Sequence, residues 1–118
     1  MEVPRFNIPR DRFIVLSSGV QDHLSLNEVV AGIFRHINAE WGQVNDSDRM
    51  MNDYNLARRG TIISEYVSAD GIRYWVLTEP GHERTVVLLP SEFGTDNADE
   101  KKGYILHGGA RRGDPARG

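Results

Sequence analysis

The side chains in this sequence that are best suited to proton transfer or metal binding are four histidines, His23, His36, His82 and His107. No two of them are four residues apart or form an alternating pair, the compact spacings that bring ligands together in hydrolytic zinc sites. We therefore predict no metal site, no cofactor and no catalytic residue. His36 is expected on the flank of a helix, and His82 in a solvated hairpin turn.

Cysteine is absent from the chain. Its absence excludes a disulfide framework, thiolate zinc sites, iron–sulfur clusters and cysteine nucleophiles. The sequence also lacks a glycine-rich phosphate loop, a nucleophile elbow and a kinase signature. An enzyme of an unrecognised kind would need a pocket in which His36 or His82 lies within hydrogen-bond reach of a carboxylate.

Acidic and amide side chains are concentrated between positions 45 and 55. The run Asn45-Asp46-Ser47-Asp48 begins no EF-hand loop, because the glycine and glutamate that such a loop requires at its sixth and twelfth positions are missing. These residues are good N-cap and first-turn residues, so a helix is predicted to begin there. On that helix Asp48, Asn52 and Asn55 share one face. We predict that this polar row recognises a partner.

Tryptophan and arginine supply the remaining candidate recognition residues. Trp41 is predicted to close the end of a helix against a sheet. Trp75 is either a core residue or an exposed anchor for a partner, a role in which tryptophan is enriched. Arg73 shares a strand face with Trp75 and either pairs with Glu65 across the strands or contacts phosphate. We count Trp75 and Arg73 among the candidate partner-binding residues.

The elements that hold these residues follow from sequence periodicity. Phe13–Leu16 predicts a short strand that enters a turn at Ser17-Ser18-Gly19. Ser25 and Glu28 then form a capping box at the start of an amphipathic helix. The apolar positions of that helix are Leu26, Val29, Val30, Ile33, Phe34 and Ile37.

A second helix and three strands follow. The helix begins near Asn45 and ends before Gly60, the expected residue after its last turn. The apolar period then changes from 3.6 to 2, which predicts an antiparallel meander with strands at 61–67, 72–78 and 84–89. The predicted fold class is α+β, with a short N-terminal strand, two helices and this meander. One sheet face should meet the helices, and the other is either covered by Phe13–Leu16 and the tail or open to a partner.

The chain has 118 residues and a formal net charge of −3, which fits one domain and gives no overall field for nucleic acid or anionic lipid. We divide it into an extended arm (1–11), a single α+β domain (12–93) and a flexible tail rich in glycine and charge (94–118). No apolar run is long enough to span a membrane, and no signal peptide is recognisable. We therefore predict a cytoplasmic protein without membrane contact.

Several short motifs occur in a fixed order in the predicted domain: Trp41-Gly42-Gln43-Val44, Asn52-Asp53, Ser64-Glu65-Tyr66, Tyr74-Trp75-Val76-Leu77-Thr78-Glu79 and Thr85-Val86-Val87-Leu88-Leu89-Pro90-Ser91-Glu92-Phe93. This order resembles a family of short bacterial proteins typical of plasmids and other mobile elements. Members are labelled plasmid-related proteins or, by transfer of names, subunits of a type I restriction methyltransferase. A methyltransferase needs a larger cofactor domain with a glycine-rich loop, which this sequence lacks. The resemblance implies an accessory role and supplies no catalytic residue.

These observations favour a small non-enzymatic accessory factor of a mobile genetic element that binds an unidentified protein, for example as a regulator or inhibitor of a host defence system. The alternative is a nucleic-acid-binding accessory protein that uses the basic residues of its arm and tail. A third reading is a small enzyme of an unrecognised kind. A homodimer is also compatible with the sequence, because free edge strands pair readily.

Overall fold

A computed structural model describes residues 13–94 and, beyond them, the backbone of the two-residue strand Tyr104–Ile105. The predicted arm and the rest of the predicted tail lie outside the described residues. Helices and a mixed sheet confirm the α+β class. The elements in chain order are β1 (Phe13–Leu16), α1 (Ser18–His23), α2 (Leu26–Ile37), α3 (Asp46–Arg58), β2 (Ile62–Val67), β3 (Arg73–Thr78), β4 (Arg84–Leu88), a 3₁₀ turn (Pro90–Glu92) and β5 (Tyr104–Ile105).

The two predicted helices correspond to α2 and α3, and both begin at the expected caps. The Ser25 hydroxyl accepts a hydrogen bond from the Glu28 backbone N–H at 3.2 Å. The Asn45 side chain accepts one from the Asp48 N–H at 2.7 Å. Each cap satisfies a backbone donor that the first turn of a helix leaves without a partner. Local sequence signals therefore locate the starts of both helices.

The prediction of only two helices is wrong, because a third helix, α1, occupies the segment predicted to be a turn. Its N-cap Ser17 accepts a hydrogen bond from the Val20 N–H at 3.1 Å. The Gly19 N–H donates a hydrogen bond at 2.9 Å to the side chain of Glu92, which is 73 residues further along the chain than Gly19. A six-residue helix is too short for apolar periodicity to reveal. One of its first-turn donors also depends on a residue from the far end of the domain.

The sheet contains the predicted meander, and its strand order is β2-β3-β4-β1-β5. The pairs β2–β3 and β3–β4 are antiparallel. β1 runs parallel to β4, with Phe13 opposite Arg84. It therefore extends the sheet. Covering of one sheet face by Phe13–Leu16, one of the two alternatives predicted above, does not occur. β5 is antiparallel to β1 on its other side. The connection from β1 to the meander contains all three helices. A long connection is needed because two strands that pair in parallel cannot be joined by a tight turn.

The main core lies between the helices and one face of the sheet. Its buried side chains are Leu16, Val20, Leu24, Val29, Tyr66, Tyr74, Val76 and Val87. Gly32 permits close packing of α2, because a Cβ atom there would lie 2.7 Å from the Tyr74 hydroxyl. Trp41 is buried with Ile62 at the end of α2, as predicted.

The second face of the sheet carries its own apolar cluster, formed by Val15, Leu77, Val86 and Leu88. These side chains are buried, and the partly buried Ile63 and Trp75 pack against them. The centre of this face is therefore not an open apolar surface. Its accessible part lies at the margin, on β2 and β3.

The orientation of α2 differs from the apolar pattern of its sequence. Val29, Gly32 and His36 face the core, whereas Leu26, Val30 and Phe34 are exposed. The expectation that His36 flanks the buried face is therefore wrong.

None of the described helices is both long and apolar enough to cross a membrane.

Candidate functional site

The predicted polar row on α3 divides between structure and surface. Asn52 is only 3% exposed. Its side-chain amide donates a hydrogen bond to the Ile63 carbonyl at 2.8 Å and accepts one from the Ile63 N–H at 3.0 Å. Asn55 donates to the Thr61 carbonyl at 2.9 Å. Both asparagines therefore satisfy the outer backbone edge of β2, and Asn52 is not accessible to a partner.

The segment between α2 and α3 completes this covering of β2. The Glu65 N–H donates to the Trp41 carbonyl at 3.0 Å, and the Gln43 N–H donates to the Glu65 carbonyl at 2.7 Å. Gly42 lies between these two contacts with φ +77°, and a Cβ atom there would lie 2.1 Å from the Glu65 carbonyl oxygen. A glycine is therefore required at this position. The tryptophan–glycine motif covers a sheet edge.

A cleft of about 220 Å³ opens beside this covered edge, between the start of α3 and the margin of the second sheet face. It is lined by Gln43, Val44, Asn45, Asp48, Ile63, Glu65 and Trp75. Two of the five predicted recognition residues, Asp48 and Trp75, line this cleft. We call it the Trp75 cleft.

The polar wall of the Trp75 cleft is held in place by a cross-strand pair. Glu65 lies directly opposite Trp75 in the β2–β3 register. The Trp75 indole N–H donates to one Glu65 oxygen at 2.9 Å, and Arg73 forms an ion pair with the other. The side chain of Phe93 packs edge-on against Trp75, with ring centroids 5.4 Å apart. The predicted pairing of Arg73 with Glu65 is confirmed, and it leaves the indole ring with little freedom to rotate.

Asp48 contributes negative charge to the opposite wall. It is exposed in the first turn of α3, where a carboxylate is favoured by the free N–H groups of the helix. Among the described residues no ion pair compensates its charge, whereas Glu65 is paired with Arg73. An aromatic ring beside a carboxylate is the type of surface to which cationic side chains bind in proteins.

Sequence reasoning missed Glu65, Gln43 and Ile63 as part of this surface. Glu65 could have been found from the hairpin, because the predicted turn at 69–71 fixes which residues of the two strands face each other. Gln43 and Ile63 could not have been found in this way. Their positions depend on how the 41–44 segment docks against β2, and no local pattern encodes that contact.

His36 lies at the centre of a buried polar cluster instead of at the surface. One ring nitrogen lies 2.6 Å from the Ser64 hydroxyl, and the other lies 2.8 Å from the Thr78 hydroxyl. The Thr78 and Thr85 hydroxyls are in turn 2.8 Å apart. Burial lowers the pKa of His36 to about 3, and the nearby His82 acts in the same direction. The ring is therefore neutral near pH 7, and these contacts join α2 to three consecutive strands.

His82 is also buried, which corrects the expectation of a solvated turn residue. Its Nε2 lies 2.8 Å from the Gly60 carbonyl, and the neighbouring Gly81 N–H donates to the Arg59 carbonyl at 2.8 Å. Burial lowers the pKa of His82, partly opposed by the contact with Gly60. The turn between β3 and β4 thus docks on the loop that follows α3. Among the described residues no three histidine or acidic side chains lie close enough together to hold a metal ion.

Comparison of the chain with protein-family models, with curated proteins and with solved structures finds no match.

Proposed function

We propose that this protein is a small protein-binding module, and that it contacts its partner through the Trp75 cleft. The observation that supports this proposal is the fixed pair of Trp75 and Glu65 beside the Asp48 carboxylate, which forms no ion pair with any residue that the structure describes. A rigid, partly exposed aromatic ring binds a partner at a low cost in side-chain entropy. Following the resemblance of the sequence motifs, we further propose an accessory role in a mobile genetic element, with regulation or inhibition of a host defence system as its specific form.

The chemistry of the cleft suggests which side chain of the partner it would accept. A lysine or arginine can place its cationic group beside the Asp48 carboxylate and its alkyl stem against the Trp75 ring. The volume of about 220 Å³ can hold one such side chain, though not a folded element. We therefore propose that a basic residue in a loop or extended segment of the partner enters the cleft.

Affinity capture with matched variants tests this function. Four proteins are compared: the unaltered chain, Trp75→Ala, Asp48→Asn and the control Met50→Ala. Circular dichroism first shows that each is folded. Each is then immobilised and incubated with a lysate of the host. Met50 is 70% exposed on α3 and does not line the cleft. We expect one protein to be retained by the unaltered chain and by Met50→Ala, and to be lost from Trp75→Ala.

Binding of the purified partner then tests the role of charge. Loss of a partly exposed charge contact in Asp48→Asn should weaken affinity by about 3- to 10-fold, and the difference should shrink at high salt. Equal retention by all four proteins, or no retained protein at all, would contradict the proposed function.

A further inference from the structure

The second face of the sheet is buried, although none of the described helices packs on it. Its central side chains, those of Val15, Leu77, Val86 and Leu88, are between 2% and 9% exposed. Neighbours within a sheet shield only the flanks of a side chain, so its outer end stays in water unless a further layer covers it. A layer of this kind therefore lies on the second face.

The helices that the structure describes do not supply this layer. Every member of the cluster on the second face belongs to a strand. Val20 of α1 and Val29 of α2 pack in the main core on the opposite face, and Leu56 of α3 packs in the cluster at the end of α2. Phe93 contacts Trp75 at the margin and is itself 55% exposed. The segments of this chain outside the described residues are left to supply the cover.

These segments differ in the side chains that they offer. A layer over an apolar face needs large apolar side chains, because burying them is what stabilises the contact. The segment 95–103 before β5 has none, and the chain after β5 has one, Leu106. The arm before β1 contains Val3, Phe6 and Ile8. The composition of the chain therefore favours the arm as the cover.

Apolar and polar residues alternate in the middle of the arm. Pro4, Phe6 and Ile8 follow one another at intervals of two positions, with Arg5 and Asn7 between them. Alternate residues of an extended segment lie on the same side of it. The two prolines of the arm favour an extended backbone at the residues that precede them. This pattern is typical of an extended segment with one apolar side and one polar side.

The arm also joins the fold within reach of the second face. It enters β1 at Phe13, which lies opposite Arg84 of β4. The buried cluster spans β1, β4 and β3, and the outer two of these strands are about 10 Å apart. Measured from Phe13, an extended chain can place Ile8 up to about 17 Å away and Phe6 up to about 23 Å away. Both side chains can therefore lie over the centre of the face if the arm turns back where it joins β1.

We propose that the second face is a docking site for the N-terminal arm of the same chain, in which Phe6 and Ile8 pack against Leu77, Val86 and Leu88. In this arrangement Arg5 and Asn7 face water. The proposal does not rest on the proposed function, because Trp75 lines the cleft at the margin of this face whether or not the arm covers its centre.

Nuclear Overhauser effects in the full-length protein test the contact directly. We expect cross-peaks between the Phe6 ring and methyl groups of Leu77, Val86 or Leu88, with intensities that do not depend on protein concentration. Cross-peaks to this face from Leu106 in place of Phe6 would assign the cover to the tail. Cross-peaks that grow with concentration would assign it to a second copy. Either result, or a Phe6 ring without any cross-peak to this face, would overturn the proposal.

A matched pair of variants tests whether the arm stabilises the domain. Phe6→Ser and Asn7→Ser change adjacent residues that lie on opposite sides of an extended segment. Phe6→Ser removes a large apolar side chain from the contact, so it should lower the melting temperature by about 5 °C or more. It should also raise the fluorescence of the dye ANS, which binds exposed apolar surface. Asn7→Ser should change neither quantity. Equal melting temperatures for both variants and the unaltered chain would contradict a packed arm.

Discussion

His36 is the residue whose chemistry depends most on the fold around it. Its imidazole occupies a site formed by hydroxyl groups of two strands, and burial keeps the ring neutral. The sequence shows it on an amphipathic helix, but the apolar positions of that helix extend over two adjacent faces. Periodicity alone could not determine which face is buried. The polar residues on the facing strands determine it, because buried hydroxyl groups require hydrogen-bond partners.

The lowered pKa of His36 predicts that acid destabilises the protein. An unfolded chain takes up a proton at this histidine below its ordinary pKa of 6.5, whereas the folded chain does so only near pH 3. The free energy of unfolding should therefore be highest above pH 6.5 and should fall between pH 6.5 and about 3, by about 1.4 kcal/mol per pH unit from this residue. Urea unfolding at several pH values measures the slope.

Two variants test whether His36 causes this slope. His36→Gln removes the titrating group while retaining a donor and an acceptor, so it should reduce the slope even though it lowers stability at pH 7. Met50→Gln introduces the same amide at a position of α3 that is 70% exposed and should leave the slope unchanged. An unaltered slope in His36→Gln would show that other groups cause the acid destabilisation.

At the scale of elements, the covered edge of β2 is the feature that most restricts how the chain can associate. Side chains of α3 and the backbone of the 41–43 segment pair with the outer groups of Thr61, Ile63 and Glu65. An open edge of this length would invite pairing with another chain. Asn52 thus prevents one kind of contact and does not provide the partner contact predicted for it.

Replacing Asn52 tests this role. Asn52→Ala leaves the N–H and carbonyl of Ile63 without their partners, so we expect the free energy of unfolding to fall by about 2–3 kcal/mol. Asn55→Ala removes a single hydrogen bond and should cost about 1 kcal/mol. Urea unfolding compares the two variants, and equal losses would mean that the paired contact to Ile63 has no special importance.

Glu92 shows how one side chain can join two short elements. Its carboxylate accepts hydrogen bonds from the Ser17 hydroxyl at 2.6 Å and from the N–H groups of Gly19 and Leu89 at 2.9 and 2.8 Å. We expect Glu92→Ala to lower the free energy of unfolding by about 3 kcal/mol, because three donors lose an acceptor. The neighbouring exposed Ser91→Ala should have almost no effect. Thermal or urea unfolding of both variants measures the difference, and similar stability would contradict the proposed link.

The elements that could be predicted from sequence are those whose signals are local. The residues that cap a helix, and the alternating residues of a strand, lie within a few positions of the backbone groups whose structure they determine. The helix α1 and the parallel pairing of β1 depend on Glu92 and β4, which lie at the far end of the domain. For the Trp75 cleft, Asp48 and Trp75 could be identified from residue type and position, and Arg73 could be identified as the residue that pairs with its Glu65 wall. Glu65 could also have been found from the hairpin register, but the walls formed by Gln43 and Ile63 arise only when the 41–44 segment and α3 dock beside β2, so they could not be predicted.

At the scale of the whole molecule, three apolar clusters share a single sheet. Residues of β2 contribute to all three clusters, and residues of β3 contribute to two of them. Disruption of one cluster therefore disturbs a strand that also contributes to the other clusters. For this reason we expect a single cooperative unfolding transition. The variants Trp41→Phe and Trp75→Phe each retain one fluorescent reporter, located in different clusters. Within each variant, the fluorescence and far-ultraviolet circular dichroism transitions in urea should coincide. A fluorescence midpoint well below the circular dichroism midpoint in Trp41→Phe would show that the Trp75 margin opens separately.

The parallel pairing of β1 with β4 also affects how the protein is made. The strand β1 leaves the ribosome long before its partner β4. The Ser17 hydroxyl can form its hydrogen bond with Glu92 only after 75 further residues have been added to the chain. During synthesis the helices and the β2–β3 hairpin can form while β1 still lacks its neighbour, since their contacts are closer in sequence. The nascent chain therefore carries an unpaired strand until nearly the whole domain has been translated. A chaperone that protects exposed strands would find its substrate in this interval.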